Sequence, residues 1–365
     1  MRFPGFEGEW ESKKLDSISE FINIKIPSES LSIENYISTE NILQNFEGIT
    51  TASSVPSNIN VTSFKDGDIL MSNIRPYLKK VWKATKAGGC SSDVLVFRKN
   101  ETCLSEYLYY LIANDNFINY VMIAAKGVKM PRGDKQQIQQ YLISLPSICE
   151  QQKIAAFLSL IDERISRLTK IIEGLQSFKN AVIKKIFSQE LRFSVINSEW
   201  RKIKLIEVCE KQSSNISANK IEDNFGEYVI YGASGKLKNI DFYDVEDDYI
   251  SIVKDGAGVG RLFYCKGKSS VLGTLDIIKP KNGIHTYFLY CLLSSIDFSK
   301  YVTGSTIPHI YFKDYSNEII GIPMIEEQTK IADFIFGINE KISLETSLLQ
   351  QLKLQKQYFL KQMFL

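Results

Sequence analysis

Histidine is scarce in this sequence. Its 365 residues contain only His285 and His309, and neither lies in an HExxH motif or in a Cys/His pattern with metal-ligand spacing. No NPPY or DPPY motif for amino-group methylation is present. Two glycine-rich segments also fail as cofactor loops. KGKSS (266–270) lacks the first glycine of a phosphate-binding loop, and GAGVGR (256–261) lies between two strand-like segments. The sequence therefore predicts no catalytic residue, no bound cofactor and no metal site.

Long apolar runs and paired cysteines are missing as well. No segment approaches the ~20 apolar residues of a membrane span, and the start, MRFPGFEGEWESKKL, lacks the apolar run of a signal peptide. The cysteines are far apart, with no CxxC pair, which favours reduced thiols in a cytoplasmic protein. They are Cys90, Cys103, Cys149, Cys209, Cys265 and Cys291. The net charge is only +2, so any basic surface must be local or shared with a partner.

Internal repetition is the strongest positive signal. Residues 143–187 align with residues 320–364 at a constant offset of 177, with 18 identities in 45 positions. The match extends upstream from Gly127 and Pro131 to Gly304 and Pro308. The start of the chain, RFPGFEGEWESKKL, is echoed from Arg192 by RFSVINSEWRKIKL at an offset of 190. A period near 180 indicates two whole domains rather than the short units of a solenoid.

Each repeat ends in a long predicted helix. Apolar residues recur there at alternating steps of four and three, the spacing of a heptad seam. Lys179 breaks the first seam, and Glu345 and Lys356 break the second. The predicted pairing positions are Ile154, Leu158, Ile161, Ile165, Leu168, Ile172 and Leu175 in the first helix, and Ile331, Ile335, Ile338, Ile342, Leu349 and Leu352 in the second.

Connectivity predicts how these helices pair. Only a few residues separate the end of the first helix, near Phe187, from the second repeat at Arg192, so a paired second helix must run back along the first. We predict an α+β protein with two tandem α+β domains, each followed by a long helix. The two helices form an antiparallel coiled coil with pseudo-two-fold symmetry. The expected boundaries are 1–147, 148–189, 190–324 and 325–365. The alternative is that each helix packs only on its own domain.

Local patterns predict short strands and two helical stretches in the globular parts. The strands are expected at residues 67–71, 94–99, 249–253, 262–265 and 275–279, where Val- and Ile-rich runs are bounded by Gly, Asp and Lys. Helical stretches are expected at residues 106–121 and 286–301, which share four residues at matching positions.

Basic and aromatic residues interleave at matching places in the two repeats. Long cations suit phosphates, while Arg, Asn, Ser and His can contact base edges. Trp82 and Tyr77 accompany the first such cluster. Each cluster taken alone is an ordinary solvated surface, but their recurrence favours nucleic-acid binding. The predicted contacts are Ser72, Asn73, Arg75, Tyr77, Lys79, Lys80, Lys129, Arg132 and Lys135 in the first repeat, and Lys254, Arg261, Ser305, Thr306, His309, Tyr311 and Lys313 in the second.

The whole chain resembles specificity subunits of type I restriction-modification systems. The motifs that carry the resemblance are RFPGFEGEW with its echo RFSVINSEW, FKDGDILMSNIRP, GVKMPRGDKQQI, GSTIPHIYFKD, and the pair LPSICEQQKIAAFLSLIDERI and IPMIEEQTKIADFIFGINEKI. The last pair, at the junction of domain and helix, is the most specific of them.

The resemblance implies a non-catalytic subunit with two target recognition domains, each reading one half of a split site in double-stranded DNA. The helices would set the gap and hold two methylation subunits. S-adenosylmethionine, ATP and magnesium would bind to partner subunits, which can include restriction and translocation subunits. Recognition domains vary most in such families, so individual DNA contacts transfer poorly.

Two other functions remain open from the residues alone. A structural adaptor would use its paired helices to tether two protein partners, and its basic clusters would be solvated faces; sequence-specific footprinting by the assembled complex would exclude it. A self-contained nuclease or methyltransferase would need a catalytic site that the sequence does not show, and S-adenosylmethionine binding by the isolated chain would revive it.

Overall fold

The computed structural model describes residues 2–193 and 199–364. It divides into two compact units, the first formed by Met1–Thr169 with Leu348–Leu365 and the second by Lys170–Ser347. The middle of the RFSVINSEW motif, residues 194–198, lies outside the described residues.

The first unit contains two four-stranded sheets and one strand pair. Sheet β2-β9-β6-β7 is antiparallel, sheet β3-β5-β8-β4 has one parallel pair, and β1 pairs with β10. The strands are β1 Glu11–Lys14, β2 Ser19–Phe21, β3 Lys25–Pro27, β4 Tyr36–Ile37, β5 Asn60–Phe64, β6 Ile69–Ser72, β7 Val81–Lys83, β8 Gly88–Cys90, β9 Val94–Lys99 and β10 Leu142–Leu145. The helices that begin in this unit are α1 Ser105–Ile112, α2 Asp115–Ile123, α3 Lys135–Gln139 and α4 Ile148–Phe187.

The second unit repeats the antiparallel sheet as β12-β18-β15-β16 and the strand pair as β11-β19, beside a three-stranded sheet β14-β13-β17. Its strands are β11 Arg201–Lys204, β12 Cys209–Ser213, β13 Tyr228–Gly232, β14 Gly235–Ile240, β15 Tyr249–Val253, β16 Leu262–Cys265, β17 Ser269–Val271, β18 Leu275–Pro280 and β19 Ile319–Ile322. Its helices are α5 Thr286–Ser294, α6 Phe312–Tyr315 and α7 Ile325–Met363. The predicted α+β class is confirmed.

The predicted strands are present, three of them with the expected bounds, but both predicted helical stretches are too long. The stretch 106–121 is two helices, because the Asn114 side chain accepts a hydrogen bond from the Asn116 amide and caps α2. The stretch 286–301 ends as an α-helix at Ser294, and a short 3-10 helix capped by Asp297 follows.

The cores explain why these elements pack together. In the first unit β6 and β9 present one face to α1 and α2, and Tyr107 and Phe117 are fully buried between them. In the second unit Phe288 has the same place against β15 and β18. The six cysteines are free and five are buried; burial raises the pKa of Cys103 to about 12, so its thiol stays protonated at neutral pH.

The helices pair antiparallel in each unit. In the first unit Leu158, near the start of α4, shares a core with Leu360 near the end of α7, and the rings of Phe157 and Phe359 lie 5.0 Å apart. In the second unit the order is reversed, because Ile186 at the end of α4 shares a core with Ile335 near the start of α7. Every predicted seam residue is buried or half-buried. The pairing is therefore confirmed over the alternative in which each helix packs only on its own domain.

A buried carboxylate joins the two ends of each repeat. Glu150, at the start of α4, accepts two hydrogen bonds of 2.9 Å from the Arg2 guanidinium and one of 3.1 Å from Trp10 Nε1. In the second unit Glu327 accepts the same contacts from Arg192 and Trp200. We name these sets the first and second Arg–Glu–Trp clasps.

The glutamine that follows each glutamate fixes the loop before the domain helix. Gln151 Oε1 accepts from the Leu104 amide at 3.0 Å, and its amide donates to the Pro146 carbonyl. Gln328 makes the equivalent bonds to His285 and Pro323. The EQ motif thus anchors each helix to its domain.

The lysines that break the seams are accommodated differently in the two units. Lys356 lies 2.5 Å from the Asp162 carboxylate, which also accepts a hydrogen bond from the Tyr110 hydroxyl at 2.8 Å. At the equivalent place Lys179 donates to the neutral amide oxygen of Asn339 at 2.9 Å, and Asn339 contacts the Tyr287 hydroxyl. Burial lowers the pKa of Lys179.

Replacing Asn339 with aspartate is expected to stabilise the second unit by about 1 kcal/mol at neutral pH, because a carboxylate replaces a neutral amide as the acceptor for the Lys179 ammonium. In the wild type the lowered pKa of Lys179 means that the folded state binds fewer protons than the unfolded state just below pH 10.5, so stability rises with pH there. Asn339→Asp should remove that rise. Urea unfolding of both proteins between pH 7 and pH 10.5 measures it, and a lower urea midpoint for the variant at pH 7 would contradict the expectation.

Candidate nucleic-acid interface

Two distant segments of the first unit come together at the end of β6. The Arg75 amide donates to the Pro131 carbonyl at 2.8 Å, and the Gly133 amide donates to the Asn73 carbonyl at 3.3 Å. Backbone bonds of 2.9 Å in both directions between Lys126 and Arg132 close a loop at residues 127–131. We name residues 73–76 with residues 126–133 the first loop pair.

The second unit builds the same arrangement at the end of β15. The Gly256 amide donates to the Pro308 carbonyl at 2.9 Å, and the Ile310 amide donates to the Lys254 carbonyl at 3.0 Å. Thr303 and His309 exchange backbone bonds of 2.8 Å, which close a loop at residues 304–308. Residues 254–256 with residues 303–310 are the second loop pair.

The two loop pairs carry different side chains on an equivalent backbone. The positions match because the same backbone bonds join them, although the offset is 181 at the strand ends and 177 at the closed loops. The matching pairs are Asn73 with Lys254, Arg75 with Gly256, and Arg132 with His309. The two loop pairs therefore share one backbone frame and differ in the side chains that it carries.

Each closing side chain is held by a carboxylate. Arg132, whose side chain is 58% exposed, lies 3.0 Å from Asp93, and His309 Nδ1 lies 2.7 Å from Asp255 Oδ1. One nitrogen of each side chain is thereby fixed by a carboxylate, and the remaining nitrogens of the guanidinium or imidazole are available to a ligand. The sequence interpretation missed Asp93 and Asp255; the signal was an acidic residue just before β9 and just after β15.

Arg75 has a backbone conformation that non-glycine residues rarely adopt. Its φ is +51°, and the equivalent Gly256 has a φ of +90°. The left-handed region costs an L-residue roughly 1–2 kcal/mol, and glycine avoids that cost. The loop pair therefore requires this conformation, and the first unit places an arginine there despite its cost.

Most of the other predicted contacts lie at the surface. Those that are exposed are Tyr77, Lys129, Arg132, Lys135, Arg261, Ser305, Thr306, Tyr311 and Lys313. Some cations are already paired: Lys79 with Asp115 at 2.7 Å, and Lys254 with Asp276 at 3.2 Å. Lys80 donates to the Thr39 carbonyl at 2.5 Å.

Two residues of the first predicted cluster are not presented to solvent. Ser72 is 1% exposed and its hydroxyl donates to the Ile74 carbonyl, so we remove it from the contact set. Trp82 is 9% exposed and packs in a core against Phe64, with ring centroids 6.0 Å apart. Both are buried because β6 and β7 are packed on both faces, which a basic and aromatic pattern does not reveal.

The second loop pair continues into a short row of polar rings and cations. The His309 and Tyr311 rings stack with centroids 6.4 Å apart, and Lys313 Nζ lies 5.5 Å from the centre of the Tyr311 ring.

In the first loop pair, the hydrogen bond between Lys126 and Asp134 raises the pKa of Lys126 and lowers that of Asp134. Lys126 is a further exposed cation that the sequence interpretation missed.

Both closed loops also expose an apolar residue just before their proline. Met130 is 49% exposed and Ile307 is 55% exposed. The sequence interpretation considered only polar side chains here, although the GxxxP spacing of the two loops would have aligned these positions.

Within residues 2–193 and 199–364, no group of three or more His, Cys, Asp or Glu side chains is arranged to hold a metal ion. The same residues contain no helix long and apolar enough to cross a membrane.

Comparison with known protein families identifies the domains that contain these loop pairs. The family of type I restriction modification DNA specificity domains matches the chain twice, over residues 7–177 and residues 197–354. The chain belongs to this family. The specificity domain is present in two copies, and its assigned role is DNA sequence recognition without catalysis, as predicted from the sequence.

Known specificity subunits resemble the chain along nearly its whole length. The MjaVIII specificity subunit of Methanocaldococcus jannaschii is 24% identical over 399 residues, covering 95% of this chain and 90% of that protein. The crystal structure of a Mycoplasma genitalium S subunit has the same fold, with a TM-score of 0.69, 19% identity and coverage of 100% and 99%. A chain from a study of complex assembly in a type I restriction-modification system has a TM-score of 0.59, with 18% identity and 97% coverage of both chains.

Membership of this family implies that the specificity subunit acts on DNA within a complex of restriction-modification subunits. Specificity subunits generally carry no cofactor of their own.

Proposed function

We propose that this specificity subunit reads a gapped DNA sequence, with residues 1–147 and residues 190–324 as two target recognition domains and one half-site for each. The observation that carries the proposal is the pair of equivalent loop frames with different side chains. Arg132 offers only donors, whereas His309 offers a donor or an acceptor according to its protonation. Domains built this way would bind DNA in the same orientation and contact different bases.

The proposed DNA contacts are the predicted residues that the structure leaves accessible, together with Lys126. The lysines would contact phosphates and set affinity, while the other residues of the loop pairs would contact bases. The set is Asn73, Arg75, Tyr77, Lys79, Lys80, Lys126, Lys129, Arg132, Lys135, Lys254, Arg261, Ser305, Thr306, His309, Tyr311 and Lys313.

We propose that the paired helices hold two methylation subunits. Large apolar side chains on these helices are exposed in each unit, and a bound partner would remove them from water. In the first unit these are Leu160, Leu354 and Tyr358, and in the second Ile171, Phe178 and Leu344. S-adenosylmethionine would bind to the methylation subunits, and ATP and magnesium to restriction and translocation subunits where these are present. The site of action would be the cytoplasm.

The decisive test is genetic. Deleting the gene in its host and mapping modified adenines by long-read sequencing should remove one gapped methylation motif, and restoring the gene should return it. If the map is unchanged, co-expression with the methylation partner in a methylation-free host distinguishes a silent system from an adaptor. A motif that still does not appear would contradict the proposal.

Replacing Arg132 with alanine is expected to relax one half of the motif, and His309→Ala the other half, because each residue belongs to a separate loop pair. A lost base contact costs about 1–3 kcal/mol, so the affected position should accept other bases. The measurement is the methylation map of each variant in the same host. A matched control is Lys313→Ala, an exposed cation expected to weaken binding to all sequences and to flatten its salt dependence. Equal relaxation of both halves by either variant would contradict independent domains.

A further inference from the structure

Arg75 combines a strained backbone with a guanidinium that has no partner among the described residues. Within those residues its side chain makes no hydrogen bond and no ion pair, and its Nε is buried without an acceptor. Other partly buried arginines of this unit are paired, Arg98 with Asp68 at 2.7 Å and Arg2 with Glu150 at 2.9 Å. A half-buried cation is costly unless it is paired, so Arg75 is an exception within its own unit.

The fold does not require this side chain. Gly256 occupies the equivalent place in the second loop pair, with the same backbone bond to the loop proline. Glycine adopts the left-handed conformation freely. The presence of an arginine at this position therefore indicates that its side chain binds a ligand. The packing of the loop pair does not require it.

Under the proposed function both recognition domains would approach the same phosphate backbone, whereas their two half-sites would differ in bases. A phosphate contact at this position would serve both domains equally, yet only the first has a side chain there. Bases also differ in what they present to an arginine: guanine offers two acceptors, O6 and N7, that fit the guanidinium fork.

We propose that Arg75 is a specificity-determining residue that reads a guanine in the half-site of the first recognition domain. The inference rests on the proposed function and deepens it. Arg132 lies across the same loop pair, so the guanine read by Arg75 belongs to the half-site that Arg132→Ala relaxes. The second domain, with Gly256 at this place, makes no equivalent contact.

The test compares Arg75→Gly with the wild type in the assembled methylation complex. The probes are duplexes with the wild-type motif and duplexes with each base of the first half-site replaced in turn. Arg75→Gly should melt at least as high as the wild type, since the strain is removed, yet bind the wild-type duplex about 5- to 100-fold more weakly. Its discrimination should be lost at one guanine only, and the second half-site should be read normally. Arg75→Lys should weaken binding and keep only part of the preference for guanine, because lysine can donate to O6 or N7 but lacks the guanidinium fork.

Asn58→Gly is the matched control for strain relief. Asn58 also has a positive φ, +56°, and its amide donates to Glu29. This variant should leave every base preference unchanged.

Two results with Arg75→Gly would overturn the inference: equal weakening of binding to all duplexes, which identifies a phosphate contact, or unchanged binding. A motif whose first half lacks guanine would also overturn it while leaving the proposed function intact. Absence of any gapped motif in the wild-type complex would instead remove the proposed function.

Discussion

Replacing Arg192 with methionine is expected to lower the free energy of unfolding of the second unit by about 3–5 kcal/mol, the usual effect of removing one partner of a buried ion pair. Glu327 is fully buried, and the bidentate contact with Arg192 compensates its charge. Without the guanidinium, Trp200 Nε1 is the remaining side-chain donor to this carboxylate among the described residues. The urea midpoint, followed by tryptophan fluorescence, measures the loss.

The double variant Arg192→Met with Glu327→Leu distinguishes two contributions to the loss of stability. One is the cost of a buried carboxylate without its partner, and the other is the loss of the ion pair itself. Apolar residues of similar volume often replace a buried pair at little or no cost, so the double variant should recover most of the stability. Arg2→Met is the matched variant in the first clasp and should lower the urea midpoint of the first unit. A single variant that unfolds at the wild-type urea concentration would mean that the clasp contributes little.

The clasps show what sequence repetition can and cannot predict. The echo of RFPGFEGEW by RFSVINSEW and the match of residues 143–187 with residues 320–364 are separate, at offsets of 190 and 177, and neither match relates the arginine to the glutamate. The structure joins them, because Arg2 and Glu150 are 148 residues apart in the chain and meet only when the domain closes on its helix. A periodic pattern describes one element at a time and does not identify such contacts.

The two long helices were predicted well because their apolar heptad pattern continues over many residues without a capping residue. α4 begins at Ile148 and α7 at Ile325. The stretch 106–121 was predicted too long for the opposite reason: one side-chain cap at Asn114 outweighs a continuous apolar pattern.

The DNA-contact residues remain a prediction, and the sequence did not indicate how the two loop pairs are built. The strand ends repeat at an offset of 181 and the closed loops at 177. An alignment without gaps therefore cannot pair both Arg75 with Gly256 and Arg132 with His309. The backbone bonds between the two segments establish both pairs. The carboxylates Asp93 and Asp255 were missed because their role depends on that pairing.

Replacing Ile335 with aspartate is expected to abolish assembly with the methylation subunits and to remove methylation at the whole motif. Ile335 is fully buried in the second unit, in one core with Ile186 of α4. An unpaired carboxylate there costs several kcal/mol, so the helix pair of this unit should not form. Co-purification with the methylation subunit and the adenine map of the host measure both effects.

Ile335→Leu is the control for this change, because a volume-conserving apolar exchange usually costs less than 1.5 kcal/mol. It should assemble and methylate normally. Arg132→Ala and His309→Ala change one half of the motif each, whereas Ile335→Asp should remove both halves together, since the paired helices, rather than either loop pair, would hold the methylation subunits. A complex that assembles with Ile335→Asp and still methylates one half-site sequence would show that the helix pair is not the element on which the subunits assemble.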